Sequence, residues 1–261
     1  MTRPIVFLTD YGLADEFVGI CHGVMQRIAP ESNVLDLTHS IVRQEVLQGA
    51  LVLARATPFM PTDAVYLAVV DPGVGSDRRA IAVESLSGAL FVGPDNGLLS
   101  MAWRALGGAS RAFEISSPDV LLPTESKTFH GRDVFAPAAA FLAAGFAIEK
   151  VGPEIPVDVL EAVEMPGPMV APGKVGARVV GVDGFGNVQL NVGPEDLEHA
   201  GLGGRLSVSG RSAPLVSVFA DLREGALGAL VDSQGYIALV VNGGSAAELL
   251  GLRPGGTVVI E

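Results

Sequence analysis

Three short polar clusters in this 261-residue chain follow apolar runs, and each carries groups able to hold or move a proton. The first is Thr9-Asp10-Tyr11-Gly12 with Asp15. The second is Asp71-Pro72-Gly73-Val74-Gly75 with Arg78. The third is Thr128-Phe129-His130-Gly131-Arg132-Asp133. A carboxylate accepts protons and hydrogen bonds, a guanidinium pins a carboxylate in place, and an imidazole donates at one nitrogen while accepting at the other. Together they suit general acid–base chemistry on a small molecule. Each residue also has a purely structural reading. Asp10 or Asp15 would cap a following helix, and Asp71 in Asp-Pro-Gly would shape a turn. His130 would be a satisfied imidazole at a helix start, and one of the adjacent Arg78 and Arg79 would be a surface charge. Spacing alone leaves both sets of readings open.

Other chemistries find no motif. Gly73-Val74-Gly75 has neither the GxGxxG spacing of a dinucleotide site nor the GK[ST] of a P-loop. The four histidines, at 22, 39, 130 and 199, form no HExxH or HxxxH pair, so no metal site is expected. No GxSxG serine motif occurs. The single cysteine, Cys21, has no partner for an internal disulfide and sits in an apolar helical pattern, as a packed thiol would. A net charge of −12 without a basic run argues against nucleic acid and is compatible with a cationic ligand. Apolar residues make up 49% of the chain, too many for a disordered one. The longest apolar stretch, residues 135–148, is short of the roughly 20 residues of a membrane span, and the N-terminal run is too short for a signal peptide. A cytoplasmic protein is expected.

The elements that would position these clusters change character along the chain. In the first half, short apolar runs at 4–9, 34–38, 65–70, 79–84 and 90–92 read as strands. They alternate with helical patterns at 15–28, 45–56, 96–106 and 134–144. This predicts a layered α/β domain with a mostly parallel sheet over residues 1–165, in which ligands bind beyond the carboxyl ends of strands. Residues 166–173, dense in Pro and Gly, read as a linker. Residues 174–261 read as a smaller all-β, barrel-like domain. Its short strands lie near 174–182, 187–192, 205–209, 215–219, 236–241 and 257–260, and its helix at 246–250.

Six blocks in order, FLTDYGLADEFVG, VYLAVVDPGVGSDRRAIAVE, FVGPDNGLLS, TFHGRDVFAPAAAFLA, GVDGFGNVQLN and DSQGYIALVVNGGSAAELLGL, cover nearly the whole chain. In them the sequence resembles the S-adenosyl-L-methionine hydroxide adenosyltransferases, adenosine-forming hydrolases related to fluorinating and chlorinating enzymes. The resemblance implies an α/β domain followed by a barrel-like domain, a homotrimer with substrate between subunits, and no cofactor. It places water activation on Asp71, Arg78 and His130. It assigns the ribose diol to Asp10 and the methionine end to Asp15, Asp183 and Ser233. Phe129, Phe185 and Asn187 would lie near the reacting centre, and Phe219 and Asn242 near the adenine. Gly131 resembles the chlorinating branch, where a small residue leaves room for halide. Asp71 points the other way, because a carboxylate beside a halide site repels it. The alternatives are a halide-using adenosyl transferase and a non-catalytic binder of adenosine or S-adenosyl-L-methionine. The sequence departs from common patterns at Tyr11, where Phe is usual, at Arg43-Gln44, and at Gln234 and Val241.

Overall fold

The first apolar run forms β1 (Ile5–Thr9), all five residues of which are buried. Its side chains alternate between two cores. Ile5 and Phe7 join one, with Val18, Cys21, Val24 and Met25. Val6 and Leu8 join the other, with Leu53, Tyr66, Phe91 and Trp103. Because both faces of the strand are covered, it reads as a continuous apolar run rather than an alternating one.

The computed structural model describes residues 2–123, 126 and 128–261, and it divides into two units, Met1–Glu164 and Met165–Glu261. In the first unit β1 is followed by α1 (Phe17–Ile28), β2 (Val34–Thr38), α2 (Val46–Ala56), β3 (Val65–Val69), β4 (Ala80–Ser85), β5 (Leu90–Pro94), α3 (Ser100–Ala105) and β6 (Ala109–Glu114). A π-helical turn (Gly131–Phe135), α4 (Ala136–Ala143) and β7 (Glu154–Ile155) complete it. The sheet order is β2-β1-β3-β5-β4-β6-β7. The first four strands run parallel. β4, β6 and β7 extend the sheet with antiparallel pairings. The apolar stretch 135–148 supplies α4, seven of whose eight residues are buried. Among the described residues no helix is long and apolar enough to cross a membrane. The helical pattern at 96–106 yields only α3. Gly97 at φ +90° and the Asn96 side chain, which accepts the Leu98 N–H, delay its start.

The second unit contains β8 (Met169–Ala171), β9 (Lys174–Val182), β10 (Val188–Leu190), α5 (Pro194–His199), β11 (Arg205–Val208), β12 (Arg211–Pro214), β13 (Leu227–Val231), β14 (Ile237–Val241), α6 (Ala246–Leu250) and β15 (Thr257–Ile260). They form an antiparallel, nearly closed barrel in the order β12-β11-β15-β9-β10-β14-β13, with β8 against β9. A bridge from Leu215 to Ala229 draws its two ends together.

Three readings of this region change. The span 166–173 is not only a linker. Pro172 and Gly173, the latter at φ +76°, make a tight turn that folds β8 back onto β9, with Ala171 opposite Lys174. Helix α5 was not expected, although Pro194 stands in its first turn and Asp196 accepts the Gly193 N–H at 2.8 Å. The strand expected at 215–219 reduces to the single bridge at Leu215, because the Asp221 carboxylate takes the Ser217 and Val218 N–H groups into a short 3₁₀ turn.

Candidate active site

Strands β1 and β3 are parallel neighbours, with Thr9 opposite Val69. Asp10 and Asp71, one and two residues past the ends of these strands, therefore emerge side by side at the carboxyl edge of the sheet. The turn after Asp71 brings Arg78 back over it. Arg78 Nε donates to both Asp71 oxygens at 3.0 and 3.1 Å, and Nη2 also bonds Oδ2. The pair is enclosed, with side-chain exposures of 7% for Asp71 and 10% for Arg78. The guanidinium lies over the buried Phe135 ring, 5.0 Å from its centroid.

The same Nη2 lies 2.9 Å from His130 Nδ1. A guanidinium only donates, so Nδ1 must accept, which places the imidazole proton on Nε2. Burial pushes the His130 pKa down, and Arg78 pushes it further, against the opposing pull of Asp71 and Asp133. His130 is thus held neutral with an N–H to spare. Asp71 and His130 are linked through Arg78, which stands between them.

Asp71 and His130 open on a cavity of about 440 Å³ whose lining also includes Asp10, Tyr11, Phe129 and Gly131. Asp10 caps no helix. One of its carboxylate oxygens accepts the Gln44 N–H at 2.8 Å, and Gln44 adopts the left-handed region at φ +65° to offer it. Phe129 packs edge-on against Phe17 and Tyr11 at centroid distances of 5.1 and 6.0 Å.

Gly131 does not leave an open space. A Cβ there would overlap the Tyr11 hydroxyl, so tyrosine at 11 and glycine at 131 are complementary. Burial, reinforced by the carboxylates of Asp10 and Asp71 against the opposing pull of Arg78, raises the Tyr11 pKa well above its usual value, and the hydroxyl keeps its proton. Gly131→Ala is expected to lower kcat by about tenfold to a hundredfold through this collision. Adding Tyr11→Phe should recover most of that loss, since the nearest ring carbon would sit 3.0 Å from the new Cβ. Steady-state rates of the single and double variants check the coupling; additive losses would refute it.

The remaining candidates separate. Asp15 is exposed and lines none of this cavity, and α1 begins at Phe17 with no side-chain cap bond. In the second unit, Phe185, Asn187 and Phe219 share a cavity of about 480 Å³ with Val241 and Ser245. The Asp183 carboxylate is occupied by its own loop, accepting from the Phe185 and Asn187 N–H groups and from Asn187 Nδ2. Asn242 donates to the Leu222 carbonyl at 2.8 Å. Ser233 is exposed in the β13–β14 turn, which Asp232 organises. A larger cavity of about 570 Å³ near Met169, Arg178 and Glu261 gathers none of the candidates. Burial pushes the Cys21 thiol up to about 12, as expected of a packed, unreactive group.

Residues 5–152 match the family described as SAM hydroxide adenosyltransferase N-terminal domain, and residues 177–259 match its C-terminal domain. The chain is 50% identical to an (R)-S-adenosyl-L-methionine hydrolase of Salinispora tropica, over 97% of this chain and 96% of that protein. It is 31% identical to a fluorinase of Nocardia brasiliensis, over 99% and 97% of the two chains. A crystal structure of an uncharacterized conserved protein from Thermotoga maritima superposes with a TM-score of 0.86 at 35% identity, covering 98% of this chain and 99% of that one. Matched across both units, the chain belongs to the SAM hydroxide adenosyltransferase family.

Proposed function

We propose that the protein hydrolyses S-adenosyl-L-methionine to adenosine and L-methionine. The observation that carries this reading is the hydrogen-bonded chain Asp71–Arg78–His130 opening on the cavity that Asp10 also lines. The relatives' name specifies the (R) form; since L already fixes the α-carbon, (R) describes the sulfonium centre, and we assign the same epimer to this chain.

The reaction is displacement at the ribose C5′. Water attacks in line with the departing sulfonium, the C5′–O bond forms as C5′–S breaks, and methionine leaves as a neutral thioether. The leaving group needs no proton, so the burden falls on the nucleophile. Asp71 accepts the proton that water sheds, help of about 10²–10⁴-fold. Arg78 keeps the carboxylate oriented. The His130 Nε2–H donates to the attacking oxygen and aims its lone pair. Alignment is worth on the order of 7–11 kcal/mol when ideal. Asp10, with two acceptor oxygens, suits the adjacent hydroxyls of the ribose. We assign the Phe185, Asn187 and Phe219 cavity to substrate contact as well, in a cytoplasmic homotrimer with substrate at the subunit boundary.

Turnover of (R)-S-adenosyl-L-methionine in oxygen-18 water is the test. The expected product is adenosine carrying the label in its 5′-hydroxyl. Unlabelled adenosine would sink the mechanism. Formation of 5′-chloro-5′-deoxyadenosine with added chloride would favour a halide transferase, and tight binding without product would favour a sensor.

A further inference from the structure

His22, Asp36 and His39, far apart in motif terms, meet in space. His22 lies on α1, Asp36 on β2, and His39 one residue past β2. Their ligand atoms lie within 4.8 Å of one another. Asp36 Oδ1 is 2.8 Å from His22 Nε2 and 3.1 Å from His39 Nε2. Ligands about 2.0–2.2 Å from a shared ion stand about 3.0–3.5 Å apart, so two nitrogens and one oxygen are already near coordinating distance.

A second observation points to an ion. His39 is 4% exposed, and its buried Nε2 makes no well-aligned hydrogen bond: its one close contact in the cluster, Asp36 Oδ1 at 3.1 Å, lies off the N–H direction. Such an orphan is costly unless something completes it. The other nitrogen, Nδ1, is held by Thr9 Oγ1 at 2.9 Å, the kind of outer contact that fixes the orientation of a ligating imidazole. Phe7 packs edge-on against both rings, at 4.7 Å from His39 and 5.9 Å from His22. Asp36 and His22 remain partly exposed, at 44% and 35%, which leaves an approach from solvent.

We infer that His22, Asp36 and His39 form a binding site for one divalent transition ion of the zinc class, with its fourth position open to water. Two imidazoles and one carboxylate suit such an ion better than calcium or magnesium, which prefer all-oxygen shells. None of the three residues lines the cavity beside Asp71. The ion's role is structural, tying α1 and β2 to the loop that carries Asp10. The His39 carbonyl accepts the Gly12 N–H at 2.7 Å, and Thr9 Oγ1 accepts the Tyr11 N–H at 3.2 Å.

The test is titration of the chelator-stripped, full-length chain with Zn²⁺ alone against a competing chromophoric chelator, with X-ray absorption at the zinc edge. One equivalent per chain is expected, with two imidazoles in the first shell. His22→Ala and Asp36→Asn should each weaken binding at least about tenfold, since changes in outer partners alone cost about 10–100-fold. Because both positions are partly exposed, the fold should survive, which circular dichroism verifies. His130→Gln should leave the affinity unchanged. Failure to take up a stoichiometric ion, or unaltered affinity in both the 22 and 36 variants, would overturn the assignment. Neither result bears on hydrolysis.

Discussion

Asp71→Asn is expected to reduce kcat by about 10²–10⁴-fold while substrate affinity changes little. The substitution preserves shape and keeps one acceptor oxygen for Arg78. It removes the proton acceptor and sets an amide N–H₂ against a guanidinium that only donates. The effect should appear in the chemical step, because Asp10, the proposed ribose contact, is untouched and still held by Gln44. Single-turnover kinetics combined with calorimetric binding separate the two quantities. A kcat close to that of the parent would take Asp71 out of the reaction.

Arg78→Met should be nearly as damaging, and differently so. It deletes every contact that orients Asp71 and the one that fixes the tautomer of His130. An enclosed carboxylate stripped of its cation costs about 3–5 kcal/mol, so a shift in the denaturant midpoint of the first unit is expected alongside the loss of turnover. The pH profile supplies a readout that a merely structural arginine would not move. Arg78 is one of the causes holding the His130 pKa down, and Asp71 pulls it up. Without the guanidinium, the imidazole protonates at higher pH. Neutral His130 is then lost earlier on acidification, and the acid limb of any residual activity moves toward neutrality. An unmoved limb would dissociate His130 from Arg78.

How much of this was legible in the sequence depended on how local the cause was. Asp10 and Asp71 could be located because β1 and β3 are apolar on both faces and end abruptly in polar residues. The choice between Arg78 and Arg79 could not be made from adjacency. Both turn out to be engaged, Arg79 with the buried Asp95 at 2.8 Å and with the Val159 carbonyl, a contact set only by the tertiary fold. The resemblance carried Gly131 as room for a halide. In the fold the Tyr11 hydroxyl already occupies that room, a contact between distant positions that no local pattern encodes. His22 and His39 looked scattered because a helix and a strand end bring them together, and no fixed spacing encodes such a meeting. In the second unit, Asp183 keeps the turn chemistry that its residue type suggests, Asn242 instead donates to the distant Leu222 carbonyl, and Phe185 and Phe219 expose apolar rings beside a cavity. The Pro and Gly of 166–173 read as a linker, and the strand that forms there depends on β9 being available as a partner.

The π-helical turn at Gly131–Phe135 has a consequence for how the site is stored in the chain. In an α-helix, residues five apart diverge by about 140° around the axis; a wider turn brings them closer to the same face. That winding lets Phe135 sit beneath the guanidinium of Arg78 while also meeting the His130 ring at 6.5 Å. The aim of the imidazole is therefore encoded in a phase offset of the coil, one residue more than a regular helix would hold. Removing one residue between the two rings would rotate the histidine relative to its aromatic floor while leaving both rings in the chain, so the local count of residues is as much a determinant of geometry here as their identity.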